Sequence, residues 1–314
     1  MVLVAGIDVG GTNIEIALVD DDHTVVDRAK DSTPTDGPDA VAARIAELVG
    51  QFDDRPSAAG VGIPAPVNHG VVTRPPNLRN WPVEVAFGAL LHESLNMPVE
   101  VGNDANVGAL GEWVAGAGRG SQFMLGVWMG TGVGGGLVLD GRPYTGAFGG
   151  AGEFGHMIVH QGGAQCGCGR RGCIEAYAGR ASMERFVEVA IAAGRDSAIY
   201  EIRDDKGKDR LTSAVWAKAL DKGDDLATEL VNEAIEAVAV GVGSVINLLD
   251  LDRVVIGGGL AEKLGQGLAD DIANATARWT FVPRDDRTFV VAELGDDPGV
   301  IGAAALGRAA MLLG

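Results

Sequence analysis

The sequence predicts an α/β protein made of two similar halves with a cleft between them. Segments with strand and helix periodicity alternate along the 314 residues, and the opening pattern of strand, glycine turn and strand recurs in the second half. The 48 glycines cluster between apolar segments, where they let the backbone approach a bound ligand closely. These observations together indicate an α/β protein that clasps a ligand.

The first half opens with an antiparallel meander. Ile14, Ile16 and Leu18 alternate along the chain, which is typical of a strand with one buried face. Asn103 is a candidate N-cap for a helix that runs to Ala115. The elements predicted ahead of that helix are strands over 3–8, 14–19 and 24–28, a helix over 39–49, a strand over 58–63, a helix over 85–95 and a strand over 99–101.

A glycine-rich connector at 116–120 predicts a domain boundary. We expect a smaller domain over 1–117, joined by the C-terminal helix 299–314, and a larger domain over 118–298. The elements predicted in the second half are strands over 122–129 and 137–139, a loop-rich stretch to 172, helices over 179–193, 212–221 and 225–248, a strand over 253–256, a helix, a strand over 289–293 and a helix over 299–313.

The charge balance excludes two classes of binding partner. Forty-three acidic residues against 25 basic ones give a formal net charge of −18, which repels nucleic-acid phosphate and anionic lipid. No run approaches the roughly 20 apolar residues of a membrane span, and the start shows no basic segment or cleavable leader. We therefore expect a cytoplasmic protein that binds neither nucleic acid nor membrane.

Paired aspartates suggest a strongly solvated surface. An ordinary acidic enzyme would account for them, but adaptation to a salty cytoplasm is the sharper hypothesis, because counterions would screen the self-repulsion. In that case the protein is more stable in molar salt than without it. The aspartate pairs lie at 53/54, 204/205, 224/225, 270/271, 285/286 and 296/297.

Two glycine turns at strand ends are candidate phosphate sites. Asp8 is followed by Gly10, Gly11 and Thr12, so backbone N–H groups could hold phosphate oxygens while the carboxylate reaches Mg²⁺. The alternative is a plain hairpin turn.

The second turn, Gly130-x-Gly132-x-x-Gly135, formally matches a dinucleotide fingerprint. That fingerprint requires a helix next, whereas 137–141 has the pattern of a strand and turn. We therefore predict a second phosphate hairpin in which Thr131 and Gly132 contact the ligand.

A third glycine cluster, Gly257, Gly258 and Gly259, follows an apolar strand and precedes a helix. Its flat backbone could lie against the adenosine or phosphate of a nucleotide. A tight strand-to-helix turn is the alternative.

All three cysteines lie close together, which favours a metal site over a disulfide framework. Cys166, Cys168 and Cys173 supply three soft ligands, and His156 could complete a tetrahedral Cys₃His zinc site. By spacing alone His160 competes as the fourth ligand, and three free thiols are the alternative. Four protein ligands would leave no open position, so we expect the zinc to be structural.

Carboxylates flank this loop and one helix start. Glu153 and Glu175 lie beside the metal motif, where they could accept hydrogen bonds from a polyol, or serve as surface or supporting carboxylates. Asn103 and Asp104 open a helix, and either they form an N-cap pair or Asp104 acts as the general base of a phosphoryl transfer.

Together these motifs resemble the ROK family of sugar kinases and repressors along essentially the whole chain. The resemblance implies an actin-like ATPase fold (ribonuclease H-like). The motifs that carry it are Asp8-x-Gly-Gly-Thr12, Gly-Ile-Pro-Ala-Pro at 62–66, Pro76-Asn77-Leu78, Asn103-Asp104-Ala-Asn106, the glycine-rich 130–152 stretch, Gly152-Glu153-x-Gly-His156, Cys166-x-Cys-Gly-x-x-Gly-Cys173-x-Glu175 and Gly257-Gly-Gly259.

The resemblance also implies a role for each residue. Asp104 would be the base, and zinc would be bound by His156, Cys166, Cys168 and Cys173. The residues implied to bind sugar are Asn77, Asn103, Asp104, Glu153, His156 and Glu175. Those implied to face ATP and Mg²⁺ are Asp8, Gly10, Gly11, Thr12, Thr131, Gly132, Gly257, Gly258 and Gly259.

The implied reaction is transfer of the ATP γ-phosphoryl group to a sugar hydroxyl, first of all the 6-OH of glucose. Fructose, mannose, N-acetylmannosamine and N-acetylglucosamine stay open as substrates, polyphosphate as the donor, and a sugar-sensing protein without activity as a further alternative. The family's repressors carry an N-terminal helix-turn-helix, for which Asp8 leaves no room, so a kinase is expected. The resemblance also suggests a homodimer or homotetramer.

Overall fold

The computed structural model describes residues 2–75 and 78–311. Strands and helices are numbered separately in chain order. The strands are β1 (Val4–Val9), β2 (Asn13–Val19), β3 (Val25–Ser32), β4 (Ala58–Ile63), β5 (Val67–Asn68), β6 (Val71–Thr73), β7 (Glu84–Val85), β8 (Val99–Asn103), β9 (Phe123–Met129), β10 (Val133–Leu139), β11 (Arg142–Pro143), β12 (Arg253–Gly257) and β13 (Thr288–Val291).

The α-helices are α1 (Pro38–Val49), α2 (Phe87–Leu95), α3 (Asp104–Ala115), α4 (Glu175–Ala178), α5 (Arg180–Ala192), α6 (Ile199–Asp205), α7 (Ser213–Asp221), α8 (Asp225–Leu249), α9 (Gly259–Leu264), α10 (Gln266–Thr276) and α11 (Pro298–Ala310). Short 3₁₀ turns occur at Phe154–His156 and Ala277–Trp279. None of the helices within the described residues is both long and apolar enough to cross a membrane.

The first sheet has the strand order β3-β2-β1-β4-β8. The pairs β1–β2 and β2–β3 are antiparallel, which confirms the predicted meander, whereas β1–β4 and β4–β8 are parallel. Every residue of β4 is buried, as expected for a central strand with both faces covered. The strand predicted over 58–63 coincides with β4.

Helix α11 lies directly on this first sheet. A Cβ atom at Gly6 would come within 1.8 Å of the Val300 carbonyl oxygen, and one at Gly60 within 1.7 Å of the Ala303 carbonyl oxygen. Only glycine lets the backbones of β1 and β4 approach the helix so closely. The C-terminal helix predicted over 299–313 is therefore a central part of this core.

The second sheet has the order β11-β10-β9-β12-β13, with β12 parallel to both β9 and β13. Strand β10 begins at Val133, earlier than predicted, because its three glycines weaken the strand signal. A small β5-β6-β7 sheet and helix α6 were not predicted. The strands of that small sheet have only two or three residues, too few for a periodic pattern.

The chain divides into two compact units. Unit 1 comprises Met1–Ser121, Gly136–Gly152 and Glu293–Gly314, and unit 2 comprises Gln122–Gly135 and Glu153–Ala292. The sequence predicted one domain over 118–298, whereas 118–121, 136–152 and 293–298 belong to unit 1. Both ends of the 136–152 segment lie within the glycine-rich 130–152 stretch, which the sequence predicts to contact a ligand.

One aspartate pair differs from the solvated surface that the sequence predicted. Asp224 is buried as the N-cap of α8, where its carboxylate accepts hydrogen bonds from the N–H groups of Ala227 (2.9 Å) and Ala198 (2.7 Å) and from the Ser197 hydroxyl (2.9 Å). The expectation of a surface role is wrong at this position because the carboxylate satisfies a helix start and a neighbouring loop.

Candidate active site and metal centre

The first glycine turn joins β1 to β2. The Gly10 N–H donates to the Asn13 carbonyl oxygen (2.8 Å), and the Thr33 hydroxyl donates to the Gly10 carbonyl oxygen (2.7 Å). These bonds fix the turn from within unit 1 and leave Gly11 and Thr12 exposed. An exposed, fixed backbone turn is suited to binding phosphate oxygens.

Asp8 stands beside this turn in an unfavourable electrostatic environment. Burial is the main cause that raises its pKa from 3.8 to about 6, and the charges of Asp104 and Glu15 raise it further, while Lys30 acts in the opposite direction. Carboxylate groups that repel one another in this way are the hard oxygen ligands that Mg²⁺ prefers. The residues present therefore fit a divalent cation at Asp8.

Helix α3 begins at the candidate base, Asp104. The Asn103 side-chain oxygen caps the helix by accepting from the N–H groups of Ala105 (3.1 Å) and Asn106 (3.2 Å). Its amide nitrogen donates to Asp104 Oδ1 (3.1 Å) and to the Ala65 carbonyl oxygen (3.3 Å). The N-cap alternative therefore holds for Asn103, and the same side chain also orients Asp104.

Asp104 itself is exposed, and its Oδ1 also accepts from the Ala105 N–H (2.8 Å). The first turn of a helix favours a negative charge, so this position suits a carboxylate. A base at this position combines exposure to a substrate with a fixed orientation.

Asn106 is a buried polar residue that the sequence analysis quoted but gave no role. Its amide nitrogen donates to the Ala151 carbonyl oxygen (3.3 Å) and to Asn103 Oδ1 (3.5 Å). No donor within the described residues binds its Oδ1. Asn106 therefore connects the start of α3 to the segment that precedes Glu153. Its signal in the sequence was its position in a four-residue motif that also contains Asn103 and Asp104.

The cysteine loop brings together the ligand set predicted for zinc. One ligand atom each from His156, Cys166, Cys168 and Cys173 lies within 4.8 Å of the others. The Sγ atoms of Cys168 and Cys173 are 3.7 Å apart, and a tetrahedral zinc ion with bonds of about 2.3 Å holds two sulfur ligands about 3.8 Å apart. The residues therefore fit a closed Cys₃His site.

The structure distinguishes between the two histidines of this loop. His156 Nδ1 lies 3.9 Å from Cys166 Sγ, whereas His160 Nδ1 lies 3.2 Å from the Tyr177 hydroxyl. His160 is therefore held outside the group of four.

The thiols have widely different acidities. Burial raises the pKa of the Cys166 thiol to about 12. Burial also acts to raise the pKa of Cys168, but Arg170 and the neighbouring thiols outweigh it and lower that pKa to about 6. Because zinc binds thiolates, a bound cation would stabilise the ionised form that burial disfavours.

The two flanking glutamates differ in their contacts. Glu153 is exposed just before the 3₁₀ turn that contains His156. Glu175 Oε2 accepts from the Val133 N–H (3.0 Å), and its Oε1 lies 3.6 Å from Cys166 Sγ. Glu175 therefore connects the cysteine loop to the second glycine turn.

The second glycine turn joins β9 to β10, so the strand and turn predicted at this position are confirmed and the helix of a dinucleotide fingerprint is absent. The carbonyl oxygens of Gly130 and Thr131 accept from the N–H groups of Arg180 (3.2 Å) and Ala181 (3.1 Å) at the start of α5. The Thr131 hydroxyl also accepts from the Arg180 guanidinium (3.2 Å). This turn is thus anchored by a helix.

The third glycine cluster is a tight turn between β12 and α9. Gly258 has φ +86°, and a Cβ atom there would lie 2.6 Å from the Met129 carbonyl oxygen. A Cβ atom at Gly257 would lie 2.0 Å from the Trp128 ring. The backbone conformation and close packing therefore require glycine, as the tight-turn alternative states.

The candidate residues are distributed over both units. Unit 1 holds Asp8, 10–12, Asn103 and Asp104, and unit 2 holds the zinc ligands together with Thr131, Gly132, Glu153, Glu175 and 257–259. Asn77 lies outside the described residues.

A model of the ROK family matches residues 4–310, and the chain belongs to the ROK family. A glucokinase from Halalkalibacterium halodurans is 33% identical over 312 residues, which cover 95% of this chain and 92% of that protein. An N-acetylgalactosamine kinase from Shewanella sp. (strain ANA-3) is 34% identical over 318 residues, which cover 96% of each chain.

A solved structure extends the likeness to three dimensions. The crystal structure of a ROK family glucokinase from Streptomyces griseus, in complex with glucose and AMPPNP, matches with a TM-score of 0.79 and 29% identity over 98% of this chain and 99% of that one. The predicted actin-like ATPase fold is confirmed.

Proposed function

We propose that this protein is an ATP-dependent hexose kinase that converts glucose to glucose 6-phosphate. The observation that carries the proposal is the start of α3, where Asn103 caps the helix and holds the exposed carboxylate of Asp104. The sequence match to a glucokinase along nearly the whole chain supports glucose as the acceptor.

In the proposed reaction the 6-OH of glucose attacks the γ-phosphorus of ATP. A new O–P bond forms, the bond from the γ-phosphorus to the β–γ bridging oxygen breaks, and ADP leaves. Asp104 orients the hydroxyl and takes its proton, while the two glycine turns bind the phosphates. Mg²⁺, when bound, neutralises charge on the phosphates, and Asp8 is the residue that would hold it directly or through water.

We assign the sugar to Asn77, Asn103, Glu153, His156 and Glu175, and the nucleotide to 10–12, Thr131, Gly132 and 257–259. Zinc would be structural, held by His156 and the three cysteines, because four protein ligands leave no position for water. His156 would bind zinc through Nδ1 and leave Nε2 for a sugar hydroxyl.

Phosphorylation of another hexose is the second candidate. The 34% identity to an N-acetylgalactosamine kinase favours an N-acetylhexosamine as the alternative phosphoryl acceptor. We further propose a homodimer or homotetramer, and a cytoplasmic location in keeping with three free thiols.

The test is a coupled assay of ADP release with Mg-ATP, run in molar salt with glucose, mannose, fructose and the N-acetylated hexosamines. We expect the highest kcat/KM with glucose. A higher kcat/KM for an N-acetylhexosamine would transfer the proposal to the second candidate, and no turnover with any sugar by zinc-loaded, folded protein would overturn both. Tripolyphosphate in place of ATP tests the identity of the donor.

A further inference from the structure

Arg180, the first residue of α5, bonds to two separate elements of unit 2. Its Nη2 donates to the Thr131 hydroxyl in the second glycine turn (3.2 Å), and its Nη1 donates to the Ser213 hydroxyl at the start of α7 (2.6 Å). A guanidinium carries five N–H donors in a planar fork, so these two bonds use only part of its capacity.

The same guanidinium also lies against the third glycine cluster. A Cβ atom at Gly259 would be 2.8 Å from Ser213 Oγ and 3.6 Å from Arg180 Nη1. Arg180 therefore contacts the Thr131 turn and lies beside the Gly257–Gly259 turn, both of which are assigned to the nucleotide. In the sequence it was visible only as a basic residue at a predicted helix start.

The charge of Arg180 is poorly compensated by the protein. Burial lowers its pKa first, the charge of Arg210 lowers it further, and Glu184 acts weakly in the opposite direction. Within residues 2–75 and 78–311 its side-chain hydrogen bonds go to the hydroxyls of Thr131 and Ser213, and no carboxylate pairs with it.

The position at a helix start is also unfavourable for a cation. The N-terminus of α5 carries partial positive charge from its unpaired N–H groups, and no acidic residue lies in its first turn. Arg180 is a half-buried cation at a helix start, where negative charge is normally favoured, although the chain as a whole has a net charge of −18. Such an exception indicates a site that binds an anion.

We propose that Arg180 binds a phosphate of the donor nucleotide that is not transferred, between the Thr131 turn and the Gly257–Gly259 turn. This inference rests on the proposed function and adds a donor-binding residue to it. Arginine suits this role because its fork matches phosphate oxygens and its charge does not depend on pH. Ser213 is a positioning residue that holds the fork in place, and Thr131, itself assigned to the nucleotide, also orients it.

The test measures binding, so it does not depend on turnover. Affinities of zinc-loaded wild type and R180Q for Mg-ADP, tripolyphosphate and adenosine are determined by calorimetry, with kinetics alongside. We expect R180Q to lose roughly 10–100-fold in affinity for Mg-ADP and tripolyphosphate and less than about twofold for adenosine. KM for ATP should rise while KM for the sugar changes little.

R210Q is the matched control, because it removes a neighbouring positive charge that pairs with Glu184 at the surface. We expect R210Q to bind Mg-ADP like the wild type. R180K keeps the charge without the fork and should recover part of the lost affinity. It also provides a second variant should R180Q fail to fold.

An equal loss of ADP and adenosine affinity in folded variants would overturn the proposal, since it would indicate a purely structural role. Unchanged ADP affinity in R180Q would overturn it as well. If wild-type protein binds Mg-ADP but phosphorylates no sugar, the proposed function fails, whereas the inference about Arg180 is still decided by the ADP-to-adenosine comparison.

Discussion

The two glycine turns proposed to bind phosphate, after β1 and after β9, are both exposed but have opposite electrostatic surroundings. The turn after β1 is fixed by its own backbone and by the Thr33 hydroxyl, and the carboxylates of Asp8, Asp104 and Glu15 surround it with negative charge. The turn after β9 is fixed from outside, by the start of α5 and by Glu175, and it carries the Arg180 cation.

This difference indicates what each turn needs from solution. If the first turn binds phosphate as proposed, the negative charge around it requires a cation such as Mg²⁺ to be bound at the same time. The second turn supplies its own cation but depends on neighbouring elements for its shape, including the cysteine loop that Glu175 contacts. Variants at either turn test this difference.

We expect the strongest loss of activity from a variant of Asp104, beside the first glycine turn. D104N removes the proposed base with almost no change in shape, so kcat should fall by about 10²–10⁴-fold while the protein stays folded. Steady-state kinetics with glucose and Mg-ATP would measure this change. D39N is the control, because it removes an exposed acidic charge from the first turn of another helix, α1, and its kcat should match the wild type. Near-normal turnover by D104N would remove Asp104 as the base.

Loss of zinc should affect the second turn, because Glu175 connects that turn to the cysteine loop. C168S should lose zinc and more than about 3 kcal/mol of unfolding free energy, because a structural zinc site contributes its binding energy to folding. Zinc content by mass spectrometry and urea unfolding would measure both. The loss should also weaken sugar binding through His156 and, through Glu175, raise KM for ATP.

H160Q is the control for this variant, since His160 contacts Tyr177 and lies outside the ligand group. It should retain zinc and stability, whereas H156Q should lose zinc. Zinc loss from H160Q and not from H156Q would reverse the assignment of the fourth ligand. Unchanged sugar affinity in zinc-free C168S would separate the metal from the sugar site.

A smaller effect distinguishes how the two turns are supported. A Cβ atom at Gly132 would lie 2.3 Å from Glu175 Oε2, so G132A must displace the carboxylate from the Val133 N–H at a cost of about 1–3 kcal/mol. A Cβ atom at Gly10 would lie 3.2 Å from the Asn13 carbonyl oxygen, a contact that a small shift relieves. Urea unfolding should therefore show a larger loss for G132A than for G10A. Equal losses would mean that Glu175 does not fix the second turn.

The sequence was informative where the signal is local. An apolar run predicted β4 residue for residue, and the N-cap pattern predicted the start of α3. Close cysteine spacing predicted a group of side chains that could hold a metal ion, and the structure brings such a group together. Contacts that join distant parts of the chain left little signal in the sequence. Arg180 contacts Thr131 and Ser213 only in the folded chain. Asp224 likewise meets Ser197 and Ala198 only in the folded chain.

Spacing could not identify the fourth zinc ligand, because His156 and His160 both precede Cys166 by no more than ten residues. Salt adaptation likewise stays a prediction, because it concerns a balance of many surface charges and no single contact. Unfolding in dilute buffer and in molar salt would test it, and equal stability would contradict it.

The smallest effect concerns stability, because the ionised carboxylate of Asp8 in the first turn should destabilise the folded protein. The pKa of Asp8 is raised from 3.8 to about 6, so the folded state binds this proton more tightly than the unfolded state does. The stability that this group contributes is therefore complete below pH 4 and is lost as the pH rises through 6. Above pH 6 the ionised carboxylate opposes folding, by roughly 1–3 kcal/mol.

D8N should therefore unfold at higher urea concentration than the wild type at pH 7.5 without Mg²⁺, and the difference should shrink as the pH falls from 6 to 4. Mg-ADP should stabilise the wild type more than D8N, because the carboxylate that destabilises the free protein is the one proposed to bind the cation. D20N is the control, because Asp20 lies in the turn after β2 and accepts hydrogen bonds from the N–H groups of Asp22 and Thr24. It should not be more stable than the wild type at pH 7.5. If D8N were no more stable than the wild type at pH 7.5, the repulsion among the carboxylates of the first turn would be too weak to distinguish it from the second.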